Sequence, residues 1–95
     1  MNTFNVAAAP VAPAYVADLW QIESSTGYLK FKFKNEESAS QMLAEVKADP
    51  EVFQAHSFGK TISVHYKNRS SVQAIAKAIS EAYNIEVIGV GFRLV

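Results

Sequence analysis

Hydrophobic and polar residues alternate along one segment of this chain and then change to a helical spacing. Leu29, Phe31 and Phe33 alternate with polar residues, as the core-facing side chains of a half-buried strand do. After Asn35 the apolar residues are spaced three and four apart, which is the period of an amphipathic helix. This stripe consists of Ala39, Met42, Leu43 and Val46. The order predicts a strand followed directly by a helix.

The same pattern occurs a second time, 33 positions further along the chain. Phe31 aligns with Val64, and the Lys34-Asn35 step aligns with Lys67-Asn68. The second helical stripe consists of Val72, Ile75, Ala76, Ile79 and Tyr83. Self-similarity at a fixed spacing indicates two copies of one supersecondary unit.

A further strand and a turn precede each of these strands. The pattern predicts strands over residues 15–23 and 28–34, joined by the turn Ser24-Ser25-Thr26-Gly27. In the second unit it predicts strands over residues 52–55 and 61–67, with a turn near Gly59. Ile88, Val90, Phe92 and Leu94 then alternate as a closing strand whose apolar side faces the core.

Polar residues mark where each helix begins. Asn35 can cap the first helix, which ends near Asp49-Pro50, and Ser70 followed by Gln73 has the spacing of a capping box for the second. The predicted fold is α+β: two ββα units plus a closing strand, forming a five-stranded, mostly antiparallel sheet with two helices on one face. We expect a single domain over residues 1–95, in which residues 1–14 form an extended N-terminal arm.

The sheet face opposite the helices is the surface that a partner can reach. Strand parity places Tyr28, Lys30, Lys32 and His65 on it, and Gly89, Gly91 and Arg93 on the last strand. The candidate partner-binding residues are Tyr28, Lys30, Lys32, His65, Lys67, Arg69 and Arg93. Exposed lysines also keep a sheet soluble and discourage edge pairing, so this alternative explanation stands beside the functional one.

Composition narrows the function classes. The chain has 95 residues, no cysteine and a formal net charge of zero. Lack of cysteine excludes thiol catalysis and thiolate-bound metals, and it favours a reducing cytoplasm. Zero net charge argues against both an acidic nucleic-acid mimic and a strongly basic non-specific nucleic-acid binder.

Catalytic and membrane signals are weak. The histidines, His56 and His65, have no metal-binding triad or nucleophile pattern around them, and no phosphate-cradling glycine loop occurs. No segment has the length and apolarity of a membrane span. We therefore expect no enzyme, no catalytic residue, no cofactor or metal, and no small-molecule substrate.

One segment resembles an RNA-binding motif. Gly27-Tyr28-Leu29-Lys30-Phe31-Lys32-Phe33 resembles the first ribonucleoprotein motif of RNA-recognition domains, and residues 14–19 resemble their second motif. The pattern departs from that family because the two motifs lie on consecutive strands and Lys30 stands where a base-stacking aromatic is needed. This resemblance implies the alternative function of a small RNA- or DNA-binding domain.

The whole chain is similar to another class of small protein. The lead-in over residues 7–13, the two ββα units and the single cysteine-free domain resemble phage-encoded anti-CRISPR proteins that inhibit type I surveillance complexes. The resemblance implies a stoichiometric inhibitor in the host bacterial cytoplasm. It would dock on Cas subunits, with the guide RNA as a further contact, and block target DNA binding or cleavage. It assigns no role to any residue, and a phage structural or assembly protein is a further alternative.

Overall fold

The computed structural model describes residues 13–89, which form five strands, two α-helices and two short 3₁₀ helices. The first unit contains a 3₁₀ helix at Ala14–Asp18, β1 at Leu19–Ser25, β2 at Tyr28–Phe33 and α1 at Glu36–Lys47. The second contains β3 at Val52–Phe58, β4 at Thr61–Tyr66, a 3₁₀ helix at Arg69–Ser71 and α2 at Val72–Tyr83, and β5 at Glu86–Gly89 follows. The predicted order of two ββα units and a closing strand is confirmed.

The five strands form one sheet in the order β3-β4-β2-β1-β5. All neighbouring pairs are antiparallel except β1 and β5, which are parallel. Both helices pack on one face, where Met42 of α1 and Ile79 of α2 join a single buried cluster with Ile22 and Phe31. The predicted mostly antiparallel α+β sheet with its helices on one side is therefore confirmed.

The two units meet at the centre of the sheet, where β2 pairs with β4. Leu29 lies opposite Val64 and Phe31 opposite Ile62, and all four side chains are fully buried. The strand order places β1 and β3 symmetrically outside this pair. The units are thus related by an approximate two-fold axis that passes between β2 and β4.

Backbone hydrogen bonds repeat across this axis with the same spacing as the sequence. The Phe33 N–H donates to the Lys60 carbonyl at 2.8 Å, and the Tyr66 N–H donates to the Gly27 carbonyl at 3.1 Å. In each unit the N–H of the residue after the inner strand also donates to the carbonyl of the residue immediately before the outer strand. These bonds are Lys34 to Asp18 at 2.8 Å and Lys67 to Glu51 at 3.0 Å. The sequence repeat is therefore a structural repeat.

The start of α1 follows the sequence prediction. The Asn35 side chain accepts a hydrogen bond from the Ser38 N–H at 2.8 Å, and Glu36 and Glu37 lie in the first turn, where the helix dipole favours negative charge. The Ser38 hydroxyl donates to Asp18 Oδ2 at 2.6 Å. That hydrogen bond, followed by one involving Asn35, lowers the pKa of the Asp18 carboxyl.

The start of α2 differs from the prediction, and the capping box of Ser70 and Gln73 is wrong. The Asn68 side chain accepts hydrogen bonds from the Ser70 N–H at 3.2 Å and from the Ser70 hydroxyl at 2.7 Å. An asparagine that bonds two residues ahead forms a local turn, and this turn takes up the Ser70 hydroxyl as a donor. A 3₁₀ turn results, and α2 begins only at Val72.

The predicted first strand over residues 15–23 begins too early. Residues 14–18 form a 3₁₀ helix, in which the Val16 N–H donates to the Pro13 carbonyl at 3.0 Å. Tyr15 and Val16 are consecutive and both buried, which an alternating strand does not allow. The Tyr15 hydroxyl donates to Glu45 Oε1 at 3.2 Å, so it ties this segment to α1. Ala14 thus lies in a helix and not in an extended arm, and residues 1–12 lie outside the described residues.

The predicted parity of the last strand is reversed. Ile22 pairs with Val87 and Glu23 with Ile88, and paired residues of neighbouring strands point to the same face. Val87 therefore packs on the core side, whereas Ile88 lies on the side opposite the helices and Gly89 takes a core-side position. A segment with apolar residues at three of four consecutive positions, 85–88, does not fix its own parity. Residues 90–95, including Val90, Phe92 and Leu94, lie outside the described residues.

We expect Phe31→Ala to lower the free energy of unfolding by about 3–5 kcal/mol, because it removes a buried aromatic ring at the central strand pair and leaves a cavity. Lys30→Ala, one position away on the opposite face, is the matched control and should change stability little. Urea denaturation followed by circular dichroism measures both. Equal losses in the two variants would contradict the assignment of faces.

Candidate binding surface on the open sheet face

We call the sheet face opposite α1 and α2 the open face. It carries a mixture of aromatic, basic, acidic and amide side chains. Its positions are Trp20, Gln21 and Glu23 on β1; Tyr28, Lys30 and Lys32 on β2; Phe53, Gln54, His56 and Phe58 on β3; Thr61, Ser63 and His65 on β4; and Glu86 and Ile88 on β5.

A β-bulge in each unit adds an aromatic residue to the open face. The register of β1 against β2 shifts between Leu19 and Gln21, and that of β3 against β4 shifts between Val52 and Gln54. The extra residues are Trp20 and Phe53, which are 47% and 68% exposed. The bulges occupy equivalent positions in the two units, so the repeat extends to these irregularities. A bulge redirects a side chain that a regular strand would place elsewhere.

Around Trp20 the charges are paired within the protein. Lys32 Nζ lies 5.7 Å from the centroid of the Trp20 ring and forms an ion pair with Glu23. It also donates to Gln21 Oε1 at 3.0 Å, and Gln21 Nε2 donates to Glu86 Oε1 at 2.8 Å. The Lys32 charge is therefore balanced by a neighbouring carboxylate, and this end of the open face is not predominantly basic.

Around Phe53 the surface forms a shallow cleft of about 390 Å³. Its walls come from the β1–β2 turn, from β2, β3 and β4, and from the residue that begins the second 3₁₀ helix. The lining residues are Thr26, Gly27, Tyr28, Phe53, His65, Tyr66 and Arg69. Aromatic rings thus share this cleft with the positively charged side chain of Arg69.

The rings beside this cleft pack on one another. Tyr28 and His65 are stacked with their centroids 4.8 Å apart and an interplanar angle of 23°, and His56 meets His65 edge-on at 5.6 Å. Burial, followed by the neighbouring His56, lowers the pKa of His65. His65 is therefore mainly neutral at physiological pH, and it can contribute stacking and hydrogen bonding in place of charge.

Gly27 allows Arg69 to lie across the first hairpin turn. A Cβ at Gly27 would stand 2.8 Å from Arg69 Nε, and the Gly27 φ of +88° is one that other residues rarely adopt. A second cleft, of about 280 Å³, lies on the other side of the same arginine and is lined by Ser25, Thr26, Gly27, Arg69, Ser70, Val72 and Gln73. The Arg69 side chain thus packs directly against the turn, in space that a side chain at position 27 would occupy.

The residues predicted from the sequence are only partly brought together. Tyr28, Lys30, Lys32 and His65 lie on the open face as expected. Lys67 is exposed just beyond β4, and Arg69 begins the next helix at the cleft. Arg93 lies outside the described residues. That these seven residues bind a partner remains a prediction.

Sequence reasoning missed the three most exposed large apolar side chains in the described part of the chain: Trp20, Phe53 and Phe58, the last of which is 90% exposed. A signal was present in the spacing. Leu19 and Ile22, like Val52 and Ala55, are three positions apart in segments that otherwise alternate. An extra residue between two core positions of a strand is typical of a bulge.

The resemblance to RNA-recognition domains weakens in the structure. Residues 14–18, which were compared with the second ribonucleoprotein motif, form a 3₁₀ helix and not a strand. β2 carries the residues compared with the first motif, and its partners on the two sides are β1 and β4. On the open face only Tyr28 of the residues compared with the first motif supplies an aromatic ring, and Trp20, Phe53 and Phe58 come from β1 and β3.

Two further findings concern residues 13–89. No group of three or more His, Asp or Glu side chains in this range is arranged to hold a metal ion. None of its helices has the length and hydrophobicity required to cross a membrane.

Comparison of the chain with protein-family models, with curated proteins and with solved structures finds no match. The function must therefore be argued from the surface itself.

The stacked arrangement predicts how His65 titrates. We expect its pKa to lie below the ordinary value of 6.5, because burial disfavours the imidazolium and His56 adds a second, smaller effect. Tyr28→Ala should raise the pKa of His65 more than His56→Gln does, since it removes the stacked ring that shields the imidazole. NMR titration of the histidine ring protons measures each value. A His65 that titrates at or above 6.5 in the unmodified protein would contradict this geometry.

Proposed function

We propose that this protein is a non-enzymatic binding module whose open face docks on a protein partner. The observation that supports the proposal is the pair of bulges that keeps Trp20 and Phe53 exposed at equivalent positions of the two units. Core packing gives no reason for either bulge to retain an aromatic residue. Full burial of one such side chain is worth about 1.5–3 kcal/mol. Because Trp20 and Phe53 are exposed in the free protein, a partner that covers them would gain part of this free energy on binding.

The chemistry of the open face suits a protein more than a nucleic acid. Tryptophan, tyrosine and arginine are the residues most enriched at the energetic centres of protein interfaces, and Trp20, Tyr28 and Arg69 are present here. Lys32 is paired with Glu23, and Glu86 is bonded to Gln21. Nucleic-acid binding draws its affinity from cations that are free to neutralise phosphates, and this pairing leaves fewer of them.

The open face is broad for so small a protein. Its five strands lie about 4.8 Å apart and are at most seven residues long, so the sheet spans roughly 500 Å² before side chains and adjoining loops are counted. A stable protein interface takes about 800 Å² from each partner. A partner would therefore cover most of this face and would contact both bulges at once.

The partner that the sequence resemblance implies is a Cas subunit of a type I CRISPR effector complex. In this proposal the protein acts in the host bacterial cytoplasm as a phage-encoded inhibitor. It would cover a surface that target DNA requires and thereby prevent target binding or cleavage, with the guide RNA left intact. It would need no cofactor, because docking alone obstructs the DNA.

The test is competition between target double-stranded DNA and the purified protein on an assembled type I complex. We expect the protein to reduce target capture, and Trp20→Ala combined with Phe53→Ala to weaken inhibition at least about 30-fold, the loss expected when interface anchors are truncated. Lys77→Ala, on the helix side, is the control and should inhibit like the wild type. Circular dichroism checks that each variant is folded.

The two parts of the proposal fail separately. Unimpaired target capture at saturating protein, across several type I systems, would remove the Cas partner. Undiminished inhibition by the folded double variant would keep the inhibitor but move its binding surface away from the bulges.

A small nucleic-acid-binding domain is the second candidate, and one observation favours it. The stacked rings of Tyr28 and His65 lie beside Arg69 at the cleft, which is an arrangement that can stack a base and contact a phosphate. Lys30 lies on the same face.

Salt dependence separates the two candidates. For a protein-binding module we expect little binding to free RNA or DNA oligonucleotides. For a nucleic-acid binder, the logarithm of the binding constant would fall linearly with the logarithm of the salt concentration. The slope of this plot would be reduced by about 1 in each of three variants: Lys30→Ala, Lys67→Ala and Arg69→Ala. Lys77→Ala again serves as the control. Tight, saturable binding in a gel-shift titration near physiological salt would replace the protein-binding proposal with this one.

A further inference from the structure

β3 is an edge strand whose protection against pairing with another chain is confined, within residues 13–89, to the bulge at Phe53 near its start. In the described sheet its only neighbour is β4. Its seven residues, Val-Phe-Gln-Ala-His-Ser-Phe, include no Lys, Arg, Asp, Glu or Pro, and five of them are exposed. Natural proteins protect exposed edges with charges, proline, bulges or a covering segment, because an edge is a template for a further strand. The bulge lies at the start of β3 and leaves residues 54–58 in regular register.

The hydrogen bonds of β4 show which backbone groups of β3 point outward. Successive residues of an antiparallel strand bond alternately to the neighbours on its two sides. The Tyr66 N–H donates to the Gly27 carbonyl, and the Lys60 carbonyl accepts from the Phe33 N–H. The even-numbered residues of this strand therefore bond toward β2, and its odd-numbered residues bond toward β3.

The odd-numbered residues of β4 pair with three residues of β3: Gln54, His56 and Phe58. The intervening residues, Ala55 and Ser57, must then direct their N–H and C=O groups to the open edge. The equivalent edge in the first unit is occupied, because β5 pairs with β1 alongside Ile22 and Ser24. Ile22 and Ser24 lie 33 positions before Ala55 and Ser57 and are their equivalents in the first unit. The edge of β1 that corresponds to the open edge of β3 is therefore already paired with a strand.

We propose that β3 pairs antiparallel with β3 of a second copy of this chain, which joins two sheets into one across a two-fold axis. The proposal rests on the edge and not on the proposed function of the open face. Pairing through identical strands closes the assembly at two copies.

One register satisfies both the hydrogen bonds and the faces. It uses residues 54–58, without crossing the bulge at Phe53, and it places His56 on the two-fold axis. Ala55 of each copy then exchanges both backbone hydrogen bonds with Ser57 of the other. Phe58 lies on the open face beside Gln54 and Phe53 of the second copy, so its exposed ring is covered.

The ends of the strand are complementary in charge. Glu51 precedes β3 and Lys60 follows it. Antiparallel pairing brings the start of one strand to the end of the other, so the Glu51 end of each copy meets the Lys60 end of its partner. The axis thus relates two favourable juxtapositions, and β3 itself contains no Lys, Arg, Asp or Glu that would face its own copy.

The dimer should be weak. A phenylalanine side chain can bury about 150–250 Å², so covering the exposed parts of Phe53 and Phe58 adds roughly 300 Å² per copy. Even with the area that the paired backbones bury, the interface would lie at the lower end of the sizes found for specific protein interfaces. We therefore expect a dissociation constant in the micromolar range or above.

Sedimentation velocity across the micromolar and millimolar concentration ranges tests the proposal. We expect a reversible monomer–dimer equilibrium that Ser57→Pro abolishes, because proline lacks the outward N–H. Proline is tolerated on an edge strand when its missing N–H faces solvent, so the variant should fold. Ser57→Ala retains the N–H and is the matched control, which should dimerise like the wild type. A protein that stays monomeric throughout, or a dimer that folded Ser57→Pro leaves intact, would overturn the proposal.

A charge exchange provides a second test that does not rely on proline. Lys60→Glu alone should weaken the dimer several-fold, because two glutamates then meet at each end of the paired strands. Adding Glu51→Lys to the same chain should restore it, since opposite charges meet again in exchanged positions. If the double variant dimerises no better than Lys60→Glu alone, the antiparallel β3 pairing is wrong.

Discussion

The pairing of β2 with β4 is the constraint on which the rest of the structure depends. It joins the two units at their centre, and it places Leu29, Phe31, Ile62 and Val64 together on the core side with no exposed surface. A slip of one residue would turn all of them to the opposite face, so the burial of these side chains fixes the register. The open face is then defined by the same parity, because every residue between two core positions of β2 or β4 must point away from the helices.

Because the helices cover only one side, the open face contributes little to the core and is free to carry other chemistry. The two bulges use this freedom in the same way. Each leaves the core positions around it in place, Leu19 and Ile22 in one unit and Val52 and Ala55 in the other, while adding an aromatic residue outside. Equivalent irregularities in the two units are easier to explain by a shared surface than by folding, since a regular strand would pack the same core side chains.

The predictability of each element follows from how much of its pattern is local. The helices and inner strands could be predicted because their apolar residues, such as Phe31 or Met42, repeat with a clear period. The 3₁₀ helix at Ala14–Asp18 could not, because Tyr15 and Val16 are strand-favouring residues whose burial depends on elements distant in sequence, among them α1 and Phe33 of β2. Ile88 was assigned to the wrong face because its parity comes from pairing with Glu23, far away in sequence. Trp20 and Phe53 were missed because a bulge breaks the alternation on which the faces were assigned.

The two units also differ, and the differences concentrate exposed groups at one side of the molecule. The outer strand of the first unit is covered by β5, whereas the outer edge of β3 has no neighbour among the described strands. The first hairpin turn is covered by Arg69, whereas a Cβ at Gly59 in the second would meet nothing within 4 Å. Phe53 and Phe58, the most exposed aromatic residues described, both lie on β3. Among residues 13–89 the first unit therefore has its outer strand covered, whereas the second presents backbone groups without a strand partner beside exposed apolar rings, so contacts with other molecules should begin there.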